Sequence, residues 1–409
     1  MPATWVVPAL SGRSLVGIDL GTSTVICAVG EEDGRRIRVL GVGESASAGV
    51  RKSVITDPDA AQAAIAKALD TAERAAGHEI DSALLCLGGR HLESRPNQAV
   101  VSVVSRSGAV GSSDLNRVLE AARDGGCPEG SEVVHLIPRF YSVDSQQGLR
   151  DPRGVEGARL AVDAELVMAS TAHLETLVGC AHAAGLRVDD VVAQPLASAE
   201  GVLRDSELEG AVAVVDVGGG TTDIAVFRRG TIRRIVVLPV GGQNVTNDLA
   251  TGLHCDQEEA EVIKRRHGHC DPGQVLVEEM VTVVGIAGVG RDEVPRRWLA
   301  EIIEPRAREM ARLIGEALEG EGVQKVVLTG GCARLRGFPA AVHQILETPV
   351  RVAVPEGFSG LADQVGMPEH AVVAGLLRWG QRSTTVRDRS NPKTTRSQGR
   401  LNRWLHELF

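Results

Sequence analysis

Apolar and polar residues follow the same order at two distant places in the chain. In LVGIDLGTSTVICAVG, two apolar strands flank a short polar turn, and a second turn at Asp33-Gly34 leads into a third strand. The order returns 197 residues later in VAVVDVGGGTTDIAVF, where the second turn is Arg229-Gly230. Apolar runs bounded by glycine-containing turns predict β-hairpins. The repetition predicts two halves that are built alike.

Helical periodicity is found in the segments between these hairpins. Residues 58–76 carry alanines at helical spacing, with Asp57 as the predicted N-cap and Gly77 as the predicted stop. We also expect helices within residues 169–204 and around residues 368–379. Strand and helix patterns that alternate in one chain predict an α/β fold.

Residues 84–168 differ from both halves, because β-rich stretches surround a single short helical pattern. That helix is predicted at residues 114–123, behind a cap formed by Ser112 or Ser113. The change of pattern predicts a small domain inserted into the first half. A second insertion is predicted at about residues 242–312.

Composition and charge narrow the class of protein. A chain of 409 residues exceeds what one hydrophobic core supports, and 43% apolar residues favour globular domains. The net charge of −9 argues against a general nucleic-acid binder. We expect no secretory signal, and no apolar run approaches the roughly 20 residues of a membrane-spanning helix. Seven scattered cysteines are typical of reduced thiols in a cytoplasm.

The end of the sequence differs from the rest in charge. Residues 381–409 hold seven lysines and arginines and two acids, so they carry +5 and the remainder carries −14. Residues 381–398 are predicted as a flexible polar linker. In residues 399–409, apolar side chains at helical spacing beside two arginines predict an amphipathic helix on a membrane surface. The helix residues concerned are Arg400, Leu401, Arg403, Trp404, Leu405, Leu408 and Phe409. The alternative is a helix that docks on its own chain or on a neighbour.

The polar turns of the two hairpins have the chemistry of a phosphate clamp. Glycines let backbone N–H groups approach an anion, and hydroxyls add hydrogen-bond donors. An aspartate at the end of the first strand of each hairpin can hold the water shell of Mg²⁺. The candidate residues are Asp19, Gly21, Thr22 and Ser23 in the first turn, and Asp216, Gly218, Gly219, Gly220, Thr221 and Thr222 in the second. The alternative is a pair of ordinary glycine hairpins.

This duplicated hairpin resembles the actin/Hsp70/sugar-kinase superfold, whose two halves close over ATP. The pair Gly330-Gly331, which follows an apolar strand, is similar to the element that lies against the α-phosphate and adenosine in that superfold. Glu261, Lys264 and Arg265 resemble the helix residues that contact adenine and ribose in the Hsp70 branch. For these three residues, the alternative is the solvated face of a charged helix.

Within the superfold, the position of the inserted domain resembles that in the FtsA family of bacterial division proteins. Actin, MreB and Hsp70 place their small first-half domain earlier in the chain. The strings GGQNVTNDLA, VIKRRHG and LAEIIEPRAREM are similar to FtsA strings in the same order. The resemblance covers about residues 14–380 and the tail.

The resemblance implies an α/β protein of the actin/Hsp70-like ATPase superfold, with two duplicated half-domains and inserted small subdomains. The expected division is 14–84 with 169–210 for the first half-domain, 85–168 for its FtsA-type insertion, 211–241 with 313–380 for the second half-domain, and 242–312 for its insertion.

The resemblance also implies a function in cell division. A member of this family is expected to bind ATP and Mg²⁺, with Asp19 and Asp216 holding the metal through water. It is expected to polymerise at the cytoplasmic face of the inner membrane, to tether the ring of the tubulin-like protein FtsZ there, and to recruit later divisome proteins. The acidic FtsZ C-terminal peptide is expected to contact Arg306, with support from Arg297 and Arg308. For each arginine, a solvated helix position is the alternative.

One position departs from the family pattern. Gln194 stands where FtsA and MreB relatives commonly have a water-orienting glutamate. A glutamine can align a water molecule but cannot accept its proton at neutral pH. We therefore expect slow ATP hydrolysis at most.

Two rival functions share the superfold. One is an ATP-dependent enzyme, either a sugar kinase or a folding ATPase, but the sequence offers no evident substrate-pocket residues and no C-terminal peptide-binding domain. The other is a cytoplasmic scaffold of the pilus-assembly type. Such scaffolds generally lack a terminal amphipathic helix, so residues 399–409 argue against that reading.

Overall fold

The computed structural model describes residues 14–34, 36–105 and 107–389, without the side chains of residues 383–389. Its strands are β1 (Ser14–Leu20), β2 (Thr24–Asp33), β3 (Arg36–Ala46), β4 (Val50–Arg51), β5 (Val54–Ile55), β6 (Ser82–Leu87), β7 (Leu92–Ser102), β8 (Ser131–Val143), β9 (Gln146–Leu149), β10 (Arg159–Ser170), β11 (Arg187–Ala193), β12 (Ala211–Val217), β13 (Thr222–Arg228), β14 (Thr231–Leu238), β15 (Met280–Val284), β16 (Arg291–Pro295), β17 (Lys325–Thr329), β18 (Val350–Val352) and β19 (Phe358–Gly360). Its α-helices are α1 (Pro58–Ala76), α2 (Ser112–Asp124), α3 (Thr171–Ala183), α4 (Gln194–Val202), α5 (Gly242–Leu253), α6 (Gln257–His267), α7 (Arg296–Leu318), α8 (Phe338–Leu346) and α9 (Ala371–Arg389).

Two sheets that share a five-strand arrangement confirm the predicted duplication, and β19 extends the first sheet only. In the first sheet the strands lie in the order β11-β6-β1-β2-β3-β19, and in the second in the order β14-β13-β12-β17-β18. In each, an antiparallel hairpin (β1–β2 or β12–β13) is joined by a parallel strand, β6 or β17. The aspartate of each hairpin therefore lies at the same place in its sheet.

Helix α1 confirms the capping prediction and shows why its sequence is rich in alanine. The Asp57 side chain accepts a hydrogen bond from the Ala60 N–H, and Gly77 ends the helix in the left-handed conformation. The helix packs on β3, where a side chain at Gly43 would overlap the backbone of Ala68. Small residues on both elements allow the two backbones to approach closely.

The inserted β-rich segment forms its own sheet, ordered β7-β10-β8-β9, with α2 packed against it. The predicted cap of α2 was wrong. The N-cap is Gly111, and the Asp114 side chain accepts hydrogen bonds from the N–H groups of Gly111 and Val104. Ser112 and Ser113 lie inside the first turn of the helix. Neither acts as the cap, because the Asp114 carboxylate already accepts hydrogen bonds from the free backbone N–H groups. The predicted boundary at residue 85 falls within β6 of the first sheet, so we call residues 88–168 the inserted subdomain.

The predicted bounds of three further segments need correction. Residues 169–204 contain the strand β11 between α3 and α4, because the short apolar run adds to the sheet edge beside β6. Helix α7 continues past residue 312, so the predicted boundary falls within a helix. Helix α9 continues to Arg389, through the first nine residues of the predicted linker, since neither proline nor glycine interrupts that stretch.

The predicted membrane helix at residues 399–409 lies outside the described residues. Among the residues that the structure describes, no helix is long and apolar enough to cross a membrane.

Candidate nucleotide site

The two predicted phosphate turns have the same local geometry. The Gly21 N–H donates to the Thr24 carbonyl over 3.1 Å, and the Gly218 N–H donates to the Thr221 carbonyl over 2.9 Å. Each turn directly follows the strand that carries its aspartate. The sequence duplication is therefore a duplication of backbone geometry.

The turns of the two halves lie in contact with each other. Ser53 joins them, because its N–H donates to Thr22 Oγ1 over 3.0 Å and its hydroxyl bonds Thr221 Oγ1 over 3.0 Å. A Cβ added at Gly219 would overlap the Ser23 hydroxyl, so the opposing turn lies in direct contact with this glycine. A phosphate group held by one turn would be within reach of the other.

Three carboxylates lie buried beneath these turns. Asp19 is 7% exposed, Asp216 is 3% exposed and Asp223 is fully buried. Burial raises the pKa of Asp19 to about 6, although a hydrogen bond from the Cys86 thiol over 2.9 Å opposes the shift. Burial and the charges of Asp223 and Asp19 raise the pKa of Asp216 well above its usual value. Burial and the Asp19 charge raise the pKa of Asp223 to about 7, against the Thr221 hydrogen bond.

These carboxylates have the chemistry to attract a cation, although among the described residues no three acidic, histidine or cysteine side chains form a ready-made metal cluster. Asp223 Oδ1 accepts no hydrogen bond from the described residues, although it is buried. A cluster of buried acids with raised pKa values is stabilised in its ionised form when a cation sits among them. Oxygen ligands of this kind suit Mg²⁺, which is held by one or two carboxylates and its own waters.

Asp223 was missed at the level of sequence. It lies on β13, directly opposite Asp216 in the hairpin register. The sequence did contain a signal for Asp223, because a tight turn between two strands places these two positions opposite each other.

Gln194 lies where the resemblance placed it, next to the carboxylates. It is the first residue of α4 and 7% exposed, and its side chain hydrogen-bonds Asp216. The end of β6 contacts it from the other side, since a Cβ at Gly88 would overlap Gln194 Oε1. The amide group is thus held at the centre of the site.

The charged residues of α6 also converge on the second turn. The Lys264 ammonium donates to the Gly242 carbonyl over 3.1 Å and to Thr246 Oγ1 over 2.8 Å, and it pairs with Glu261. Gly242 in turn donates its N–H to the Gly218 carbonyl over 2.9 Å. Arg265 lies close enough to the first half for its charge to help lower the pKa of Glu44, a shift that is caused chiefly by the His370 hydrogen bond.

The Gly330-Gly331 pair lies directly beside Asp216. Gly330 has φ +83°, and a Cβ there would overlap Asp216 Oδ1. Its N–H donates to the Pro368 carbonyl over 3.1 Å, and Gly331 begins a 3₁₀ turn, Gly331–Arg334. Only glycine allows the chain to pass so close to this carboxylate.

The arginines predicted to bind a partner lie on α7, away from this site. The Arg306 guanidinium binds both oxygens of Asp248, over 2.7 and 3.1 Å, and also pairs with Glu309. The other two form exposed pairs within the helix: Arg297 with Glu301 over 3.4 Å and Arg308 with Glu304 over 2.9 Å. The predicted membrane residues, from Arg400 to Phe409, lie outside the described part of the chain.

Two family models match the chain: "Cell division protein FtsA" over residues 213–375 and "SHS2 domain inserted in FTSA" over residues 89–168. A similar curated protein is Cell division protein FtsA of Pseudomonas aeruginosa, which is 36% identical over 377 residues and covers 90% of each chain. Cell division protein FtsA of Escherichia coli strain K12 is 33% identical over 423 residues, with 98% of this chain and 100% of the relative covered.

Solved structures share the fold at lower identity. The PilM-PilN type IV pilus biogenesis complex matches with a TM-score of 0.66 and 18% identity, over 90% of this chain and 98% of the other. MreB5 of Spiroplasma citri bound to ADP matches with a TM-score of 0.54 and 14% identity, over 93% of this chain and 99% of the other. These likenesses show the actin-like ATPase fold that the sequence predicted.

Proposed function

The chain belongs to the FtsA family of cell-division proteins, and on that premise we propose that it binds Mg-ATP between its two halves and tethers FtsZ to the cytoplasmic face of the inner membrane. In this proposal the chain polymerises on the membrane and recruits later divisome proteins.

Nucleotide binding is supported above all by the meeting of two like turns over three buried carboxylates. The N–H groups and hydroxyls of the turns are suited to phosphate oxygens, and Asp19 and Asp216 would hold Mg²⁺ through water. The metal, when bound, supplies the positive charge that neutralises phosphate oxygens. Lys264 and Glu261 lie next to the second turn, where they would contact the sugar and base.

Hydrolysis is limited by the residue that faces the attacking water. The Gln194 amide can orient a water molecule but takes no proton from it. Its hydrogen bond to Asp216 fixes the amide but also occupies part of its hydrogen-bonding capacity. ATP is therefore proposed to act first as an assembly ligand and second as a substrate that is hydrolysed slowly.

Isothermal titration with Mg-ATP tests the site through Gly219→Ala. The added methyl group would collide with Ser23 across the cleft, so affinity for Mg-ATP should fall at least about tenfold. Gly179→Ala on α3 is the matched control, because a side chain there meets open space. Unchanged affinity in Gly219→Ala would show that the nucleotide binds elsewhere.

Membrane attachment is proposed through residues 399–409. Five apolar side chains, each partly buried in lipid, gain roughly 5–10 kcal/mol in total. Ordering about ten residues costs about 1 kcal/mol each, which nearly cancels that gain. Each nearby arginine adds about 1 kcal/mol on an anionic surface. One copy should therefore bind weakly, whereas a polymer binds firmly because the attachments are linked.

The FtsZ peptide is proposed to bind residues 242–312. That segment exposes apolar side chains, with Met280 at 50% and Trp298 at 42%, and these suit a partly apolar peptide. An acidic peptide group reaching Arg306 would have to displace Glu309, since the Asp248 contact lies partly buried. Arg306 thus remains the proposed contact, held in place by Asp248.

A further inference from the structure

A histidine of the inserted subdomain is hydrogen-bonded to the backbone next to Gln194. The Ala193 N–H donates to His135 Nε2 over 2.9 Å, and both residues are fully buried. Ala193 ends β11 and immediately precedes Gln194, the first residue of α4. The imidazole is therefore the acceptor for a backbone donor at the start of the helix that carries the water-orienting amide.

The imidazole packs against an aromatic ring, while its Nδ1 has no hydrogen-bond partner among the described residues. The ring of Trp379 on α9 lies 5.1 Å from it at an angle of 60°. No charged group contributes to its titration, and burial alone lowers the pKa of His135 to about 3. The ring stays neutral at physiological pH, with Nε2 as the acceptor and the proton on Nδ1.

A second connection from the inserted subdomain also reaches Gln194. The chain enters the subdomain from the end of β6, where Gly88 lies against Gln194 Oε1. The amide side chain thus contacts the entry segment, while its backbone neighbour is bound by β8.

The same subdomain is bound to the second half of the molecule. Ser94 Oγ on β7 accepts a hydrogen bond from the Ile235 N–H over 2.9 Å. The Arg139 guanidinium donates to the Arg233 carbonyl over 2.9 Å, and that of Arg150 donates to the Arg229 carbonyl over 3.3 Å. A shift of the subdomain relative to the first half would strain the contacts with Ala193 and Gln194, and it would also disturb these contacts with the second half.

We propose that His135 is a positioning residue for ATP hydrolysis, through which the inserted subdomain sets the place of Gln194 against Asp216. A protein bound to the inserted subdomain could thereby change the hydrolysis rate without touching the nucleotide. Only the kinetic test of this inference depends on the ATP hydrolysis proposed above.

The test compares His135→Phe with His135→Gln. Phenylalanine keeps a ring against Trp379 but cannot accept the Ala193 N–H, whereas the glutamine carbonyl can replace Nε2. In His135→Phe, the single-turnover hydrolysis rate should fall about tenfold while Mg-ATP affinity stays within twofold. His135→Gln should recover the rate to within about threefold. Val118→Ala, in the core of the same subdomain on α2, is the control for loss of stability alone.

Amide hydrogen exchange provides a readout that does not need hydrolysis. In His135→Phe, the peptide that contains residues 193–199 should exchange faster than in the wild type or in Val118→Ala, and His135→Gln should restore its protection. The proposal is overturned if exchange there is unchanged in His135→Phe. It is overturned equally if Val118→Ala, matched for melting temperature, lowers the rate or protection as much. If the wild type does not hydrolyse ATP but His135→Phe shows the predicted faster exchange, only the proposed ATP hydrolysis is rejected.

Discussion

At the residue scale, the burial of Asp19, Asp216 and Asp223 makes the stability of the folded chain depend on pH. Their pKa values are raised in the folded protein, so the folded chain holds protons that the unfolded chain releases. The stability that Asp19 and Asp223 provide is fully present below pH 3.8 and is lost as pH rises through about 6 to 7. A cation bound among them removes the cost of ionisation and releases protons.

Asp223→Asn should therefore stabilise the nucleotide-free protein at pH 8 by roughly 1–3 kcal/mol, because an uncharged amide replaces a buried carboxylate. At pH 5.5, where Asp223 is protonated in the wild type, the difference should be small. Urea unfolding at the two pH values measures both. An equal gain at both pH values, or none at pH 8, would show that the carboxylate is not a charged, unpaired group in the folded chain.

Gln194→Glu should raise the rate of ATP hydrolysis by about tenfold to a hundredfold, because a carboxylate beside Asp216 has a raised pKa and can accept a proton. Single-turnover hydrolysis at pH 7 to 8 measures the effect. Gln194→Ala is the control, and it should lie below the wild type since it cannot orient water. If Gln194→Glu hydrolyses ATP no faster than Gln194→Ala, residue 194 does not take part in the reaction.

At the element scale, local signals predicted well and long-range contacts did not. Helix α1 was predicted with both ends because its cap and stop lie within the segment itself. The cap of α2 was misassigned because its carboxylate lies inside the helix and also binds Val104, ten positions away. The strand β19 pairs with β3, which lies more than 300 positions away in the chain. A strand of three residues carries no pattern that identifies its partner.

Helices α4 and α9 cross at a contact that requires glycine. A Cβ at Gly375 would overlap the Ala197 carbonyl, and one at Gly201 would overlap the Ala371 carbonyl. Gly375→Ala should cost at least about 2–3 kcal/mol of unfolding free energy, although alanine favours helices elsewhere. Gly179→Ala, in an open helical position, should be neutral or slightly stabilising. If both variants melt at the same temperature, the crossing is looser than described.

At the scale of the whole molecule, duplication made most of the nucleotide site predictable. The two turns were found in sequence because each follows a recognisable apolar strand, whereas Gln194 was found through the family resemblance, since the strand before it was not predicted. Two long-range contacts were not predicted: Ser53 joins the two halves, and His135 joins the inserted subdomain to the first half, both through tertiary packing that no local pattern records. The contrast between an acidic body and a basic tail supports the proposed membrane attachment, which would depend on assembly.

The central claim, that this chain links FtsZ to membrane, is tested most directly by flotation of anionic vesicles with fluorescent FtsZ C-terminal peptide, the purified chain and Mg-ATP. The account predicts that the peptide floats with vesicles only when the chain is present. Leu405→Glu, which should cost roughly 2–4 kcal/mol of lipid binding per copy, should leave the peptide bound to the chain but off the vesicles. His406→Gln, on the polar side of the predicted helix, should behave as the wild type. Peptide that floats equally with Leu405→Glu, or fails to float with the wild type, would contradict the account.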